Sequence, residues 1–216
     1  MKNVITVGTV GIMGGVPELP TPFVKSLIDM AMFNNEYLLG NNEQIYYHIA
    51  SMSYHSFARN DITFNMRGDW CFMVDTDQTF EPDVLTRLKW VMDKNNLDVL
   101  TGLYFKKYPP YDPVIYKDVG DWKLETIDEW DKSKEIIEID SAGAGCLLVK
   151  AAVFNAIIEK FKCMPFMEIE NNSEDHSFFW RVKQLGIKVY CAPHIQAKHL
   201  AWQEVAEGDR EKWLNQ

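Results

Sequence analysis

Two aspartates one residue apart, Asp75 and Asp77, follow directly after the apolar run at positions 70–74. Such a run is typical of a central strand that is buried on both faces. Ligands of open α/β sheets bind at the carboxyl ends of the strands, which is where this pair would lie. Carboxylates so close together repel each other, and their oxygens suit a Mg²⁺ or Mn²⁺ ion that bridges to a diphosphate. The alternative interpretation is an acidic turn that caps the next helix.

The elements that would position these aspartates alternate between strand and helix. Ahead of them the sequence predicts a buried strand at positions 4–7, a loop rich in Gly and Pro, and a helix that begins at Thr21. A second helical pattern covers positions 42–60, through Ile45, Ile49 and Met52. The first strand, loop and helix in this order are compatible with a βα unit that faces a nucleotide, although the glycines fit neither GxGxxG nor a P-loop.

The pattern continues after the aspartates. A helix is predicted to start at the acidic turn at 81–83. Residues 104–135 are an irregular, aromatic stretch predicted to form a loop or small hairpin region over one side of the sheet. The other predicted elements are strands at 97–103, 136–140, 145–149 and 187–191, a helix at 151–161, and a helix capped by Ser173 and ended by Gly186. This alternation predicts an α/β fold with a mostly parallel central sheet, formed by one domain over residues 1–216.

Composition narrows the possible functions. The chain has 216 residues, a formal net charge of −9 and 47% hydrophobic residues, which is typical of a globular protein. The acidic balance leaves no broad basic face for duplex nucleic acid, and a phosphate-bearing ligand would need a bound cation. No stretch approaches the roughly 20 apolar residues that span a bilayer, and the first residues lack a signal-peptide layout, so a cytoplasmic protein is expected.

The cysteines are predicted to be free thiols buried in the fold. They have no CxxC spacing, and most lie in apolar runs; they are Cys71, Cys146, Cys163 and Cys191. Disulfides and a zinc site are the less favoured alternatives.

Several segments carry a combined pattern. In chain order they are ARN at 58–60, FMVDTDQTFEPDVL at 72–85, LTGLYFKKYPPYDPVIY at 100–116, DSAGAGCLLVKAAVF at 140–154, SEDHSFFWRVKQLGIKVY at 173–190, and the late His199. Together they resemble the GT-A glycosyltransferases, particularly the family-2-like enzymes, in which an apolar strand ends in a DxD motif. The resemblance extends over most of the chain.

The resemblance implies a fold, a donor and a metal. The fold would be a single GT-A-like (Rossmann-like) nucleotide-diphospho-sugar transferase domain. The donor would be a UDP- or GDP-sugar, held together with Mn²⁺ or Mg²⁺ by Asp75, Asp77 and His199. Asp77 would bind the metal directly, whereas Asp75 would reach the ribose or bind the metal through water. A neutral imidazole beside carboxylates is a reasonable ligand for Mn²⁺.

Glu174 and Asp175 resemble the family's ED motif, in which the Asp serves as general base in inverting enzymes. A hydroxyl is a poor nucleophile, and a carboxylate within hydrogen-bond reach can remove its proton as the new bond forms. The resemblance therefore assigns catalysis to Asp175, with Glu174 beside it, and implies transfer of the sugar to an acceptor hydroxyl. The alternative is that both acids only favour the dipole of the following helix.

The resemblance also implies further contacts to the donor. These positions are Thr9, Arg59, Asn60, Thr76, Gly143, Ala144 and Gly145. Small residues let a backbone approach a ligand closely, although tight packing between a strand and a loop explains them equally well. Arg59 is alternatively a cation at a helix end.

The acceptor stays open, since a glycan, a protein, a lipid or a nucleobase would all be compatible. The aromatic residues of the irregular stretch would stack on sugar rings or else form a small satellite core; they are Tyr108, Tyr111, Tyr116 and Trp122.

Two other functions remain. Asp75, Asp77 and Thr79 also fit the DxDxT motif of haloacid-dehalogenase-type phosphatases, with Asp75 as the nucleophile. However, that motif normally lies on the first strand, and a βα unit precedes this one. A noncatalytic relative that only binds a sugar nucleotide is the other alternative.

Overall fold

The computed structural model describes residues 3–11, 19–39, 43–51, 54–201 and 204–215. The strands in these residues are β1 (Asn3–Val10), β2 (Glu43–Ala50), β3 (Trp70–Asp75), β4 (Gln78–Phe80), β5 (Val99–Leu103), β6 (Ile115–Gly120), β7 (Lys123–Thr126), β8 (Ile137–Ile139), β9 (Ser141–Ala142), β10 (Cys146–Lys150), β11 (Val189–Leu200) and β12 (Glu204–Val205). The helices are α1 (Thr21–Leu39), α2 (His55–Asn65), α3 (Val84–Asn95), α4 (Ala151–Phe161), α5 (Glu174–Gln184) and α6 (Glu207–Leu214). Among these described helices, none is long and apolar enough to cross a membrane.

The central sheet has the strand order β12-β11-β5-β10-β3-β1-β2. Strand β1 is parallel to both β2 and β3, and β5 is parallel to β11. Strand β10 runs antiparallel between β3 and β5, so that all the other long strands point the same way. The predicted α/β class with a mostly parallel sheet is therefore confirmed.

The antiparallel strand β10 places a loop next to the aspartates. Cys146 at its start pairs with Val74 near the end of β3. The backbone N–H of Asp75 donates to the carbonyl of Gly145 at 3.3 Å. The loop at 143–145 therefore lies at the carboxyl end of β3.

Strand β3 is buried on both faces, as the apolar run predicts. Cys71 and Met73 belong to a hydrophobic cluster with residues of α2, α4 and α5. Trp70, Phe72 and Val74 belong to a second cluster with residues of α1 and α3. Burying one such side chain contributes about 1.5–3 kcal/mol to the hydrophobic free energy. Packing from both sides therefore fixes the position of the aspartate that ends this strand.

The cysteines are free, as predicted. Cys71, Cys146 and Cys191 are buried, and Cys163 is partly exposed. Burial raises the pKa of the Cys71 and Cys146 thiols to about 12. These thiols are therefore protonated packing groups rather than nucleophiles.

The helix predicted at 42–60 is wrong, because these residues contain strand β2 and the start of α2. Ile45 and Ile49 are four residues apart, a spacing that puts two side chains on one face of a helix and equally on one face of a strand. Pairing of β2 with β1 along its whole length selects the strand. Met52, the third residue of the predicted helix, lies outside the described residues, as do Gly14, Gly15 and Pro17 of the Gly-rich loop.

The last long strand extends well past its predicted end at 191. Strand β11 continues to Leu200, with a register shift between Ala192 and Gln196 that accommodates Pro193. The proline ended the apolar pattern in the sequence without ending the strand. His199, expected beyond the strand, therefore lies within it and pairs with Gln78 of β4, a strand too short to be predicted. Helix α6 lies in the C-terminal tail that follows.

The predicted helices α3, α4 and α5 are confirmed. The Ser173 side chain caps α5 by accepting from the backbone N–H of His176, and Gly186 follows its end with a φ of 74°. The irregular stretch at 104–135 contains the β6–β7 hairpin, which forms a small sheet with β9.

Candidate active site

A cleft of about 530 Å³ lies at the carboxyl ends of the parallel strands. Four of the predicted metal, donor and base residues line it: Asp77, Gly143, Asp175 and His199. They come from the turn after β3, the loop before β10, the first turn of α5 and the end of β11. The cleft therefore gathers side chains that are far apart in the sequence.

Asp77 and His199 face each other across this cleft. The Oδ1 atom of Asp77 lies 4.0 Å from Nε2 of His199. The backbone supports the approach, since the N–H of Leu200 donates to the Asp77 carbonyl at 2.7 Å. The other ring nitrogen of His199, Nδ1, contacts the Phe105 carbonyl oxygen. A carbonyl only accepts, so Nδ1 carries a proton. In the neutral ring the lone pair of Nε2 accepts from the side-chain amide of Gln78 at 3.5 Å, and Asp77 lies nearby.

The two oxygens of Asp77 have different surroundings. Oδ2 forms an ion pair with the ammonium of Lys107. Oδ1 is buried and has no hydrogen-bond partner in the described part of the chain. A buried carboxylate oxygen without a partner is costly unless a cation or a ligand group meets it.

These observations test whether a divalent cation fits. Asp77 and His199 suit it, because metal-binding imidazoles usually donate their second N–H to a carbonyl or carboxylate, as His199 does to Phe105. Asp75 contacts Arg59, since its Oδ1 accepts from Nη2 at 3.0 Å. Within the described ranges, no group of three His, Cys, Asp or Glu residues is arranged to hold a metal ion. The structure thus brings Asp77 and His199 together, and a metal-binding role for Asp75 stays a prediction.

Arg59 is the centre of a buried ion network below the cleft. Its side chain is 2% exposed and contacts three carboxylates: Asp75 at 3.0 Å, Glu174 at 3.3 Å and Asp175 at 3.0 Å. Burial disfavours the charge of Arg59, but the three carboxylates outweigh that effect and raise its pKa. The guanidinium of Arg59 therefore links the carboxyl end of β3 to the first turn of α5.

Burial and the charges of this network together set the pKa of Asp175. Burial raises the pKa of Asp175 to about 7; Arg59 opposes this shift, and the charges of Glu174 and Asp75 add to it. Its Oδ2 accepts from the backbone N–H of Ala144 at 3.1 Å. A carboxylate with a pKa near neutrality can both accept and return a proton at physiological pH.

Most of the other predicted donor contacts lie beneath the cleft. Thr9 is buried, and its hydroxyl donates to the Val74 carbonyl at 2.8 Å. Asn60 is buried too, and its side-chain carbonyl accepts from the backbone N–H of Phe166 at 2.9 Å. Thr76 is likewise buried. These contacts hold the fold around the site, and a direct role of these residues towards a donor stays a prediction.

The glycines before β10 are required by their protein neighbours. A Cβ at Gly143 would collide with the hydroxyl of Tyr104, and one at Gly145 would meet Gln78 and lie 2.7 Å from Oδ2 of Asp75. The packing alternative thus accounts for both positions. Gly143 still lines the cleft, so its backbone is also open to a ligand.

Sequence reasoning missed several cleft residues. Tyr104 packs edge-on against His199, with ring centroids 5.1 Å apart. Lys107 pairs with Asp77, and His176 lines the cleft beside Asp175. Tyr104 directly follows β5, and Lys107 comes shortly after it. The carboxyl end of β5 lies at the same edge of the sheet as that of β3, and this position in the sequence indicated the cleft.

The fold is that of an α/β protein with a cleft at its strand ends. No family model matches the sequence. No curated protein matches it either.

The chain is similar in structure to a UDP-glucose pyrophosphorylase solved in complex with UDP-glucose. The TM-score is 0.57 with 10% sequence identity, covering 98% of this chain and 97% of that chain. It is also similar to A197 from STIV, with a TM-score of 0.55 and 20% identity over 91% of this chain and 85% of that chain. At such identities the likeness shows a shared fold.

Proposed function

We propose that this protein is a glycosyltransferase that moves a sugar from a nucleotide-diphosphate sugar to an acceptor hydroxyl. The observation that carries the proposal is the convergence of Asp77, His199 and Asp175 on one cleft at the strand ends. Its support from the comparisons is the fold shared with a protein solved in complex with UDP-glucose.

The Asp77 side of the cleft would receive the diphosphate of the donor. Asp77 and His199 would hold Mn²⁺ or Mg²⁺, which would offset the negative charge that develops on the leaving diphosphate. Lys106 and Lys107 line the same cleft and would add positive charge there. Asp75 would act through Arg59, by keeping the guanidinium in place between β3 and α5.

The Asp175 side would activate the acceptor. Arg59 and the N–H of Ala144 orient its carboxylate, and its raised pKa suits proton removal near pH 7. A single displacement with one base gives inversion at the anomeric carbon, so we propose an inverting reaction. Glu174, which shares Arg59 with Asp175, would help to hold that geometry.

Nucleotidyl transfer is the second candidate, because one similar structure is a UDP-glucose pyrophosphorylase. A phosphatase of the haloacid dehalogenase type is disfavoured. Asp75, its required nucleophile, is engaged by Arg59, and β3 is preceded by two strands and two helices of the described chain.

One set of incubations separates these functions. The protein is incubated with UDP- and GDP-sugars and Mn²⁺ or Mg²⁺, once without and once with added pyrophosphate, and in a separate reaction with phosphate esters. Release of nucleoside diphosphate supports glycosyl transfer, whereas nucleoside triphosphate formed only with pyrophosphate identifies nucleotidyl transfer. Inorganic phosphate released from phosphate esters identifies a phosphatase. Binding by thermal shift without any product identifies a noncatalytic relative.

A further inference from the structure

A second cavity, of about 290 Å³, lies between the β6–β7 hairpin and helix α5. His176 lines both this cavity and the cleft, and Ser141, which hydrogen-bonds to Nδ1 of His176 at 2.7 Å, lines the cavity as well. The cavity therefore adjoins the cleft at the residue that follows Asp175. Its volume is at the low end of the range for small-molecule sites, about 300–1,000 Å³, which suits one ring rather than a chain of rings.

One wall of the cavity is aromatic. The rings of Trp122 and Trp180 stack with centroids 5.2 Å apart and an angle of 26° between their planes. Phe161 supports Trp180 from a centroid distance of 5.9 Å. Trp122 remains 39% exposed. This pair is a flat apolar surface that solvent or a ligand can reach.

The backbone under Trp122 is unusual. Asp121 and Trp122 form the two-residue turn of the hairpin, with φ angles of 50° and 60°. Such turns favour Asn and Gly, because a bulky side chain is disfavoured at positive φ. The hairpin thus carries a tryptophan where its own stability would favour a smaller residue, and the ring it gains closes the cavity.

The rim of the cavity is polar, and several of its charged side chains form ion pairs with each other. The ammonium of Lys183 lies 3.1 Å from Asp118 and 3.3 Å from Asp140. The backbone N–H groups of Asp118 and Gly120 donate to Asp140 and Asp118, at 3.1 and 2.9 Å. Lys183 thus lies between two of the carboxylates, and Asp121 adds a third carboxylate to the lining of the cavity. The carboxylates retain lone pairs for hydroxyl donors.

We infer that this cavity binds a carbohydrate ring and that it is the acceptor subsite of the glycosyl transfer. The acceptor role rests on the function proposed above. A sugar ring offers an apolar C–H face to the Trp122–Trp180 pair and hydroxyl groups to the rim. Stacking on aromatic faces with a few fixed polar groups is the usual composition of a small-molecule site. A nucleobase would also stack, but the carboxylates of the rim would repel the phosphates of a nucleotide.

Binding is tested without any donor, by saturation-transfer NMR with the methyl glycosides of glucose, galactose, mannose and N-acetylglucosamine, and with adenosine and uridine. At least one glycoside is expected to bind the wild-type protein. Trp122→Asn should weaken it by about tenfold or more, through loss of the aromatic face. Asn tolerates positive φ, so the melting temperature should be maintained. Trp90→Ala, which removes an exposed tryptophan of α3 outside the cavity, should leave binding unchanged.

The outcomes separate the two proposals. Absence of glycoside binding, unchanged binding by Trp122→Asn, or binding of nucleosides alone would each overturn the carbohydrate site, even in a protein that consumes sugar nucleotides. Glycoside binding that depends on Trp122, in a protein that consumes no sugar nucleotide, would retain the carbohydrate site and remove the glycosyltransferase. If both hold, Trp122→Asn should lower transfer to the bound glycoside while leaving donor affinity unchanged.

Discussion

The Nε atom of Arg59 lies 3.0 Å from Oδ1 of Asp175, although the two residues belong to different helices. The same guanidinium contacts Asp75 through Nη2. The proposed base and the first aspartate of the DxD segment therefore share one buried cation. The positions of both carboxylates therefore depend on Arg59.

Loss of this cation should destabilise the fold. Arg59→Met would leave Asp75, Glu174 and Asp175 without their shared partner. Breaking a buried ion pair costs about 3–5 kcal/mol, and the carboxylates are partly exposed, so we expect a fall of about 3 kcal/mol in the free energy of unfolding measured with urea. Arg87→Met, at a more exposed ion pair with Asp83, should cost less than about 1 kcal/mol. Similar small losses for both variants would contradict the network's role.

Asp175 should be required for turnover and not for donor binding. Asp175→Asn retains the size of the side chain but cannot accept a proton, so transfer should fall by about 10²–10⁴-fold. Donor affinity, measured by calorimetry with Mn²⁺, should barely change, since the proposed diphosphate contacts lie on Asp77 and His199. Asp98→Asn, at a surface ion pair with Lys150, is the control. Near-normal turnover of Asp175→Asn would remove Asp175 from the mechanism and favour a retaining reaction.

The raised pKa of Asp175 should make stability depend on pH. Its carboxyl titrates near 3.8 when unperturbed and at about 7 in the folded protein, so between these values the folded state binds the proton more tightly than the unfolded state. The free energy of unfolding should therefore fall as pH rises through this window, by at most about 1.4 kcal/mol per pH unit, and level off above it. The measurement is the difference between wild type and Asp175→Asn from pH 4 to pH 8. A flat difference, or one of opposite sign, would show that Asp175 has no raised pKa.

Binding of a divalent cation should depend on Asp77 and His199. Asp77→Asn and His199→Ala should each weaken Mn²⁺ binding, measured with UDP present, by about one to two orders of magnitude. Both side chains lie at the cleft, so the melting temperature of the metal-free protein should change little. An affinity equal to that of wild type in Asp77→Asn would refute the assignment.

Lys107→Met tests how Mn²⁺ binds in the absence of nucleotide. The ammonium of Lys107 pairs with Asp77, and a cation bound there must compete with it. Removing the ammonium should therefore maintain or increase the affinity for Mn²⁺ measured without nucleotide. A loss as large as that of Asp77→Asn would mean that Lys107 supports the site instead of competing for it.

Local patterns predicted the elements that carry the site. The apolar run of β3 placed Asp75 at a strand end, and Ser173 marked the start of α5 and with it the position of Asp175. These features depend on residues close together in the sequence. Their prediction needed only the strand period, the helix period and the preference of Ser for the N-cap.

Contacts between distant residues were not predictable in the same way. The pairing of Asp75 with Arg59 follows from how α2 packs on the sheet, and the approach of His199 to Asp77 follows from the register of β11 against β4. Neither leaves a periodic signal. The β2 segment was misassigned because its apolar spacing satisfies two periods at once.

The place of β11 in the sheet has a consequence for how the protein is made. Strand β5 is buried along its whole length and pairs with β10 on one side and β11 on the other. During synthesis, β5 emerges long before the strand that covers its second edge and brings His199 to the cleft. Until then the nascent chain has an open, apolar strand edge, a feature that promotes association between chains. Truncation before β11 would therefore remove the proposed cation site and leave an aggregation-prone product.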